Sequence, residues 1–168
     1  EAPLGKKEYD NAQNEQQAAA IKQILQLFGI SGDTADENFQ KEIGHTRVSF
    51  WDCPLNRDYA ERLRSDNLPL TEAKSENRIN RIAGTAEHPR QTERVPAGAQ
   101  FDFKLTVKQF DGDEEILLDT WLQGLKLLEW DSLGGNGSRG YGKVAFTAIT
   151  RNGEDISSCF AAIQPFAK

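Results

Sequence analysis

Five glycines, at positions 134, 135, 137, 140 and 142, surround Arg139, Tyr141 and Lys143 in the stretch 133–144. Glycine allows positive φ and lets backbone amides approach a bulky anion, while Arg and Lys supply countercharge, so this composition points to a phosphate-holding loop. Two phosphate motifs can be laid over it. Gly135-x-Gly137-x-x-Gly140 spells the dinucleotide fingerprint, and Gly137-x-x-x-x-Gly142-Lys143 spells most of a P-loop, with Val144 where Ser or Thr would bind the metal ion. Both motifs require a strand before the loop and a helix after it, so that the helix N-terminus faces the phosphate.

The flanking sequence has the opposite order. Leu118, Trp121, Leu122, Leu125 and Leu128 recur at helical spacing and predict a helix over 114–130, while 143–150 reads as a β-branched and aromatic strand. A nucleotide-cofactor enzyme is therefore disfavoured. Further upstream, Ala18, Ile21, Leu25 and Phe28 predict a helix over 14–28 that stops at Gly29, residues 1–13 read as a frayed end, and 30–44 as a loop. Thr46–Asp52 alternates as a strand. Residues 53–89 carry few core-forming side chains and read as an insertion projecting from a single domain, 1–168. Regular structure is expected to resume at Arg94 and to turn at Pro96–Gly98. In the strand that follows, Phe101, Phe103, Leu105 and Val107 form one buried face. Asp111 to Asp113 closes that strand, and Asn152-Gly153 leads to an edge strand over 156–163. This order is an α+β, split β-α-β pattern of the RRM-like (ferredoxin-like) kind without its opening strand.

A helix, a glycine-rich loop centred on Ser138-Arg-Gly-Tyr-Gly142 and a strand together resemble the signature of the RAMP superfamily of CRISPR proteins. Residues 70–84, 89–103 and Gly124-Leu-Lys-Leu-Leu128 are similar to the Csm-type backbone subunit of type III effector complexes. The resemblance implies a backbone subunit that binds guide RNA, has target RNA as a partner, and assembles with copies of itself and other type III subunits in the cytoplasm. It also implies a thumb-like hairpin within 53–89 that crosses the guide. Carried onto this sequence, the expected RNA contacts are Lys74, Asn77, Arg78 and Arg81 on that insertion and Arg90 and Arg94 just beyond it. On the loop they are Gly134, Gly135, Gly137, Ser138, Arg139, Gly140, Tyr141 and Lys143. Recognition through phosphate and sugar suits a subunit that must accept any guide.

Target cleavage in such subunits is metal-dependent, with Mg or Mn, and uses an acidic residue in a loop ahead of the first helix. Glu1, Glu8 and Asp10 do not match that loop, so no catalytic residue or metal ligand is assigned here. The chain has no methionine and starts at Glu1, which fits a fragment lacking the opening strand. Two alternatives stay open: an architectural RAMP subunit without nuclease activity, and a guide-processing endonuclease using His45 or His88, the two histidines.

Bulk properties set limits on these readings. The net charge of −6 is unsuited to gripping nucleic acid by bulk electrostatics, so RNA would need a local patch. Between Arg57 and Arg94 eight basic residues meet seven acidic ones, a local excess of one positive charge. Cys53 and Cys159 lack metal or redox spacing, and no apolar run reaches membrane-spanning length.

Overall fold

The computed structural model describes residues 4–31, 35–113 and 116–166. They form a mixed α+β structure with small antiparallel sheets and fall into two compact units, one from 1–49 with 106–168 and one from 50–105.

In the first unit, the Asn14 side chain accepts from the Gln17 amide at 2.8 Å and starts α2 (Glu15–Phe28), which ends at Gly29 with φ +85°. Two elements accompany it that the sequence reading assigned to irregular chain. Helix α1 (Lys6–Asp10) replaces the expected frayed end, because Tyr9 packs on Phe39 with ring centroids 5.2 Å apart. Helix α3 (Glu37–Ile43) lies within the expected loop. Asp36 caps it through the Phe39 amide at 3.0 Å, and Phe39 and Ile43, one turn apart, are both buried. Ile21, Leu25, Phe39 and Ile43 form a core cluster to which each fully buried aliphatic side chain contributes about 1.5–3 kcal/mol.

Helix α5 (Ile116–Trp130) buries Leu117, Trp121 and Leu125, spaced four residues apart, and it contacts α2. Thr120 and Gln23 meet there, with Oγ1 3.2 Å from Oε1. Glu114 and Glu115, the expected start of this helix, lie outside the described residues.

One buried ion pair ties Arg47, just before the strand Val48–Phe50, to the turn before α5. The Arg47 guanidinium donates to both carboxylate oxygens of Asp113, at 2.8 and 3.2 Å, with side chains only 8% and 5% exposed. It also donates to the Ile43 carbonyl at 2.7 Å and lies over the Phe110 ring at 5.1 Å. Asp113 was expected to be a turn residue, and the structure makes it the counter-ion of the buried arginine. The Arg47 hydrogen bonds and the Phe110 amide hold its carboxyl below the usual carboxylate range against the opposing effect of burial.

Strands are shorter than the alternation suggests. β1 (Val48–Phe50) pairs with β4 (Leu105–Val107), and earlier in the run Phe101 makes an isolated antiparallel bridge with Leu55, beside an Asp102 amide to Pro54 carbonyl bond of 2.8 Å. Phe101 and Phe103, placed by the sequence on a buried face, are 46% and 42% exposed. Alternation makes a two-faced ribbon, but a layer must pack on one face to bury it. Residues 143–149 run without a ladder, and the expected strand there reduces to β5 (Thr150–Arg151), hairpinned to β6 (Glu154–Asp155). The Asn152-Gly153 turn is as expected, with φ of 51° and 89°. The expected edge strand over 156–163 is instead helix α6 (Ser157–Ala162). Ile156, Phe160 and Ile163 fit helical spacing, and Phe160 is buried edge-on to Phe146 at 6.2 Å.

In the second unit, Asn56 caps α4 (Arg57–Ser65) through the Tyr59 amide at 3.1 Å. A long hairpin follows, β2 (Glu72–Asn80) paired antiparallel with β3 (Thr85–Arg94), so regular structure starts well before Arg94. The turn at Pro96–Gly98 is present, with Ala99 donating to the Pro96 carbonyl at 3.3 Å and Gly98 at φ +83°.

Candidate nucleic-acid interface

The glycine loop is held at both ends. Its neck is a hydrogen bond from the Leu133 amide to the Gly142 carbonyl at 2.8 Å. The Lys143 ammonium donates to the Trp130 carbonyl at 3.1 Å and to the Asp131 carbonyl, at the C-terminus of α5. Three residues on, the Phe146 amide donates to the Glu129 carboxylate at 2.7 Å. Burial pushes the Glu129 carboxyl up, but the Lys126 and Phe146 hydrogen bonds outweigh it and leave the group below its ordinary range.

Inside the neck, Asn136 adopts a left-handed conformation (φ 61°) and opens a short 3₁₀ turn, Gly137–Arg139. The Asn136 carbonyl accepts from the Arg139 amide at 2.9 Å, and Gly140 donates to Gly137 at 2.9 Å. The Asn136 side chain accepts from the Arg139 guanidinium at 2.9 Å. Ser138, Arg139 and Lys143 are exposed, and Tyr141 is half-buried. Among the described residues, none accepts a hydrogen bond from the amides of Gly134, Gly135, Gly137 or Ser138. Amides without acceptors next to a left-handed residue are the donors from which anion-binding nests are made.

The glycines have different reasons to be glycine. A Cβ on Gly142 would lie 2.1 Å from the Leu133 carbonyl oxygen, so internal packing requires glycine there, whereas one on Gly137 would lie 2.2 Å from the Ser132 hydroxyl, which would have to turn away. Gly135 has neither a positive φ nor any heavy atom within 4 Å of a built Cβ. The fold places no demand for glycine there, whereas an anion brought against the amides would.

The hairpin of the second unit presents its cations among carboxylates. Glu72 pairs with Arg94, Lys74 lies 3.0 Å from Glu76, Arg90 stands opposite Glu76, and Arg78 opposite Glu87. Asn77 sits in a bulge facing His88 and Pro89, with His88 at φ 52°. Proline has no amide to donate and is tolerated at a bulge for that reason. Arg81 lies in the turn 81–84 beside Ile82, which is fully exposed, and the Asn80 side chain holds that turn through the Ile82 and Ala83 amides at 3.0 and 3.1 Å. Residues 50–105 contain nine basic and nine acidic side chains, so the whole net charge of −6 resides in the other unit, where Arg139 is an exposed cation.

A family model for the RAMP superfamily matches residues 4–145. The chain belongs to the RAMP superfamily. Relatives called CRISPR system Cms endoribonuclease Csm3 are similar to this RAMP chain. The one from Streptococcus thermophilus is 41% identical over 130 residues, which cover 75% of the chain and 54% of the relative. The one from Enterococcus italicus is 36% identical over 126 residues, covering 74% and 55%. The Methanothermobacter thermautotrophicus protein is 47% identical over 85 residues, covering 51% and 34%. The chain thus spans between about a third and just over half the length of these relatives.

Among its described residues, this RAMP chain has no cluster of three or more His, Cys, Asp or Glu able to hold a metal ion. The Mg or Mn of the resemblance therefore finds no fitting ligand set there. His45 lies 6.3 Å from Phe110, ring to ring, while His88 shapes the hairpin bulge. Cys53 and Cys159 are both exposed free thiols. No helix among the described residues is long and apolar enough to cross a membrane. The sequence reading missed Arg47, Asn136 and Glu129. Only Asn136 carried a signal, as the asparagine of a Gly-Asn-Gly run that tolerates a left-handed backbone.

Proposed function

We propose that this chain is the RNA-holding part of a backbone subunit of a type III CRISPR effector complex. In this reading, the amides of Gly134, Gly135, Gly137 and Ser138, with the Arg139 guanidinium, grip the phosphates of a guide RNA, and Tyr141 packs beside a ribose or base. The observation that carries it is the group of amides without acceptors, opening beside a glycine the fold does not need. Backbone amides read no base identity, which suits a subunit serving any guide.

The unit 50–105 supplies the thumb-like projection, wider than the 53–89 first expected. Within it Arg81, in the turn beyond the paired strands, and Asn77, in the bulge, are the foremost RNA contacts, followed by Arg78, Arg90, Lys74 and Arg94, which stand beside carboxylates. The domain is a single RRM-like one. Copies of this subunit, other type III subunits and target RNA are its partners, in the cytoplasm. Metal-dependent cleavage of target RNA belongs to the intact subunit, with ligands drawn from outside the described residues.

Arg139→Ala tests the reading. Fluorescence anisotropy with a labelled single-stranded RNA of mixed sequence should show weaker binding and a log K against log salt slope shallower by about 0.7, the value for one lost phosphate contact on single strands. Unchanged affinity and slope would remove the loop as an RNA site.

A further inference from the structure

We infer that Lys143 is a positioning residue for the loop rather than one of its phosphate contacts. This rests on the loop being the RNA site and assigns Lys143 a different part in it. The carbonyls at the end of a helix have no intrahelical donors, and a basic side chain near the terminus can satisfy them. Lys143 does so from the far side of the loop, reaching back to the Trp130 and Asp131 carbonyls.

Its contacts do not stand alone. The Leu133 amide to Gly142 carbonyl bond lies next to it, and the Phe146 amide is caught by Glu129 of the same helix end. Three successive links therefore tie the chain leaving the loop to the chain entering it. Within the segment between them, 134–141, Asn136 and Gly137 accept hydrogen bonds from Arg139, Gly140 and Tyr141. With the exit strapped to α5, the unbonded amides of Gly134 to Ser138 and the Arg139 head group are held in one arrangement before any ligand arrives. Binding then costs less ordering entropy. Two ammonium protons aimed at carbonyls also leave Lys143 poorly placed as a second phosphate clamp.

The experiment compares Lys143→Met and Lys143→Arg with the parent chain, using the labelled single-stranded RNA over a salt series well below the melting temperature. Lys143→Met should weaken binding roughly tenfold with an unchanged salt slope, because no phosphate contact is lost. Lys143→Arg should recover most of the affinity, since a guanidinium can also cap the carbonyls. Hydrogen exchange at the bonded amides of Leu133, Arg139, Gly140 and Tyr141 in the RNA-free Met variant should be faster than in the parent.

A slope shallower by about 0.7 in Lys143→Met would make the residue a phosphate contact and overturn the inference. Unchanged affinity would overturn it as well. If Arg139→Ala also left binding untouched, the RNA reading of the loop itself would be at fault. Faster exchange at the bonded amides of Leu133, Arg139, Gly140 and Tyr141 in Lys143→Met would still show the strap in that case.

Discussion

Asp113→Ala is expected to destabilise the fold by about 3 kcal/mol, because it leaves the Arg47 guanidinium buried without its counter-ion. The loss should exceed that of any exposed pair, such as Arg57 with Glu61, where about 0–1 kcal/mol is typical. Urea unfolding read by the tryptophan signal provides the measurement. The same pair sets a pH dependence. The folded-state carboxyl of Asp113 is depressed relative to the unfolded chain, so its contribution is present above the ordinary aspartate value of about 4 and disappears as pH falls through the depressed one. Glu129 has the same sign. The parent chain should therefore lose stability on acidification below about pH 4, and Asp113→Ala should lose less of it. An Asp113→Ala chain as stable as the parent would show that the Arg47 link carries little of the fold.

Gly142→Ala and Gly135→Ala separate a glycine kept for folding from one kept for binding. At Gly142, with φ +71°, the new methyl would sit 2.1 Å from the Leu133 carbonyl oxygen. Left-handed strain of about 1–2 kcal/mol and a lost hydrogen bond of about 1 kcal/mol together predict a cost of roughly 2–3 kcal/mol. RNA affinity should fall with it, since the neck of the loop opens. At Gly135 the methyl meets nothing within 4 Å and φ is not positive, so stability should hold or rise by about 0.4–1 kcal/mol. RNA binding should nevertheless weaken, because the methyl occupies the approach to the amides. Melting curves and RNA titrations on both variants check this. If Gly135→Ala bound RNA as tightly as the parent, phosphate would not come against that amide.

The sequence showed most where local chemistry decides the outcome. Asn14, the Ile21 and Leu25 spacing and Gly29 bracket α2, and Asn152-Gly153 makes its turn, because caps and turn residues act on their own neighbours. It showed least where a distant partner decides. Phe39 and Ile43 were read as loop because their helix is only two turns long and is stabilised by packing on α2 and Tyr9. Phe101 and Phe103 alternate as a buried strand should, yet burial needs a covering layer that no residue of the run specifies. At the candidate site the glycines and Arg139 were visible as types. The strap from Lys143 to α5 was not, since a lysine next to a glycine run looks the same whether it faces a phosphate or a carbonyl.

Hydrogen exchange of the chain with and without single-stranded RNA tests the central claim most directly. Slowed exchange confined mainly to the amides of 134–138, with a lesser effect at the turn 81–84, is the predicted result. Protection appearing on other segments while 134–138 exchange as fast as in the free chain would contradict it.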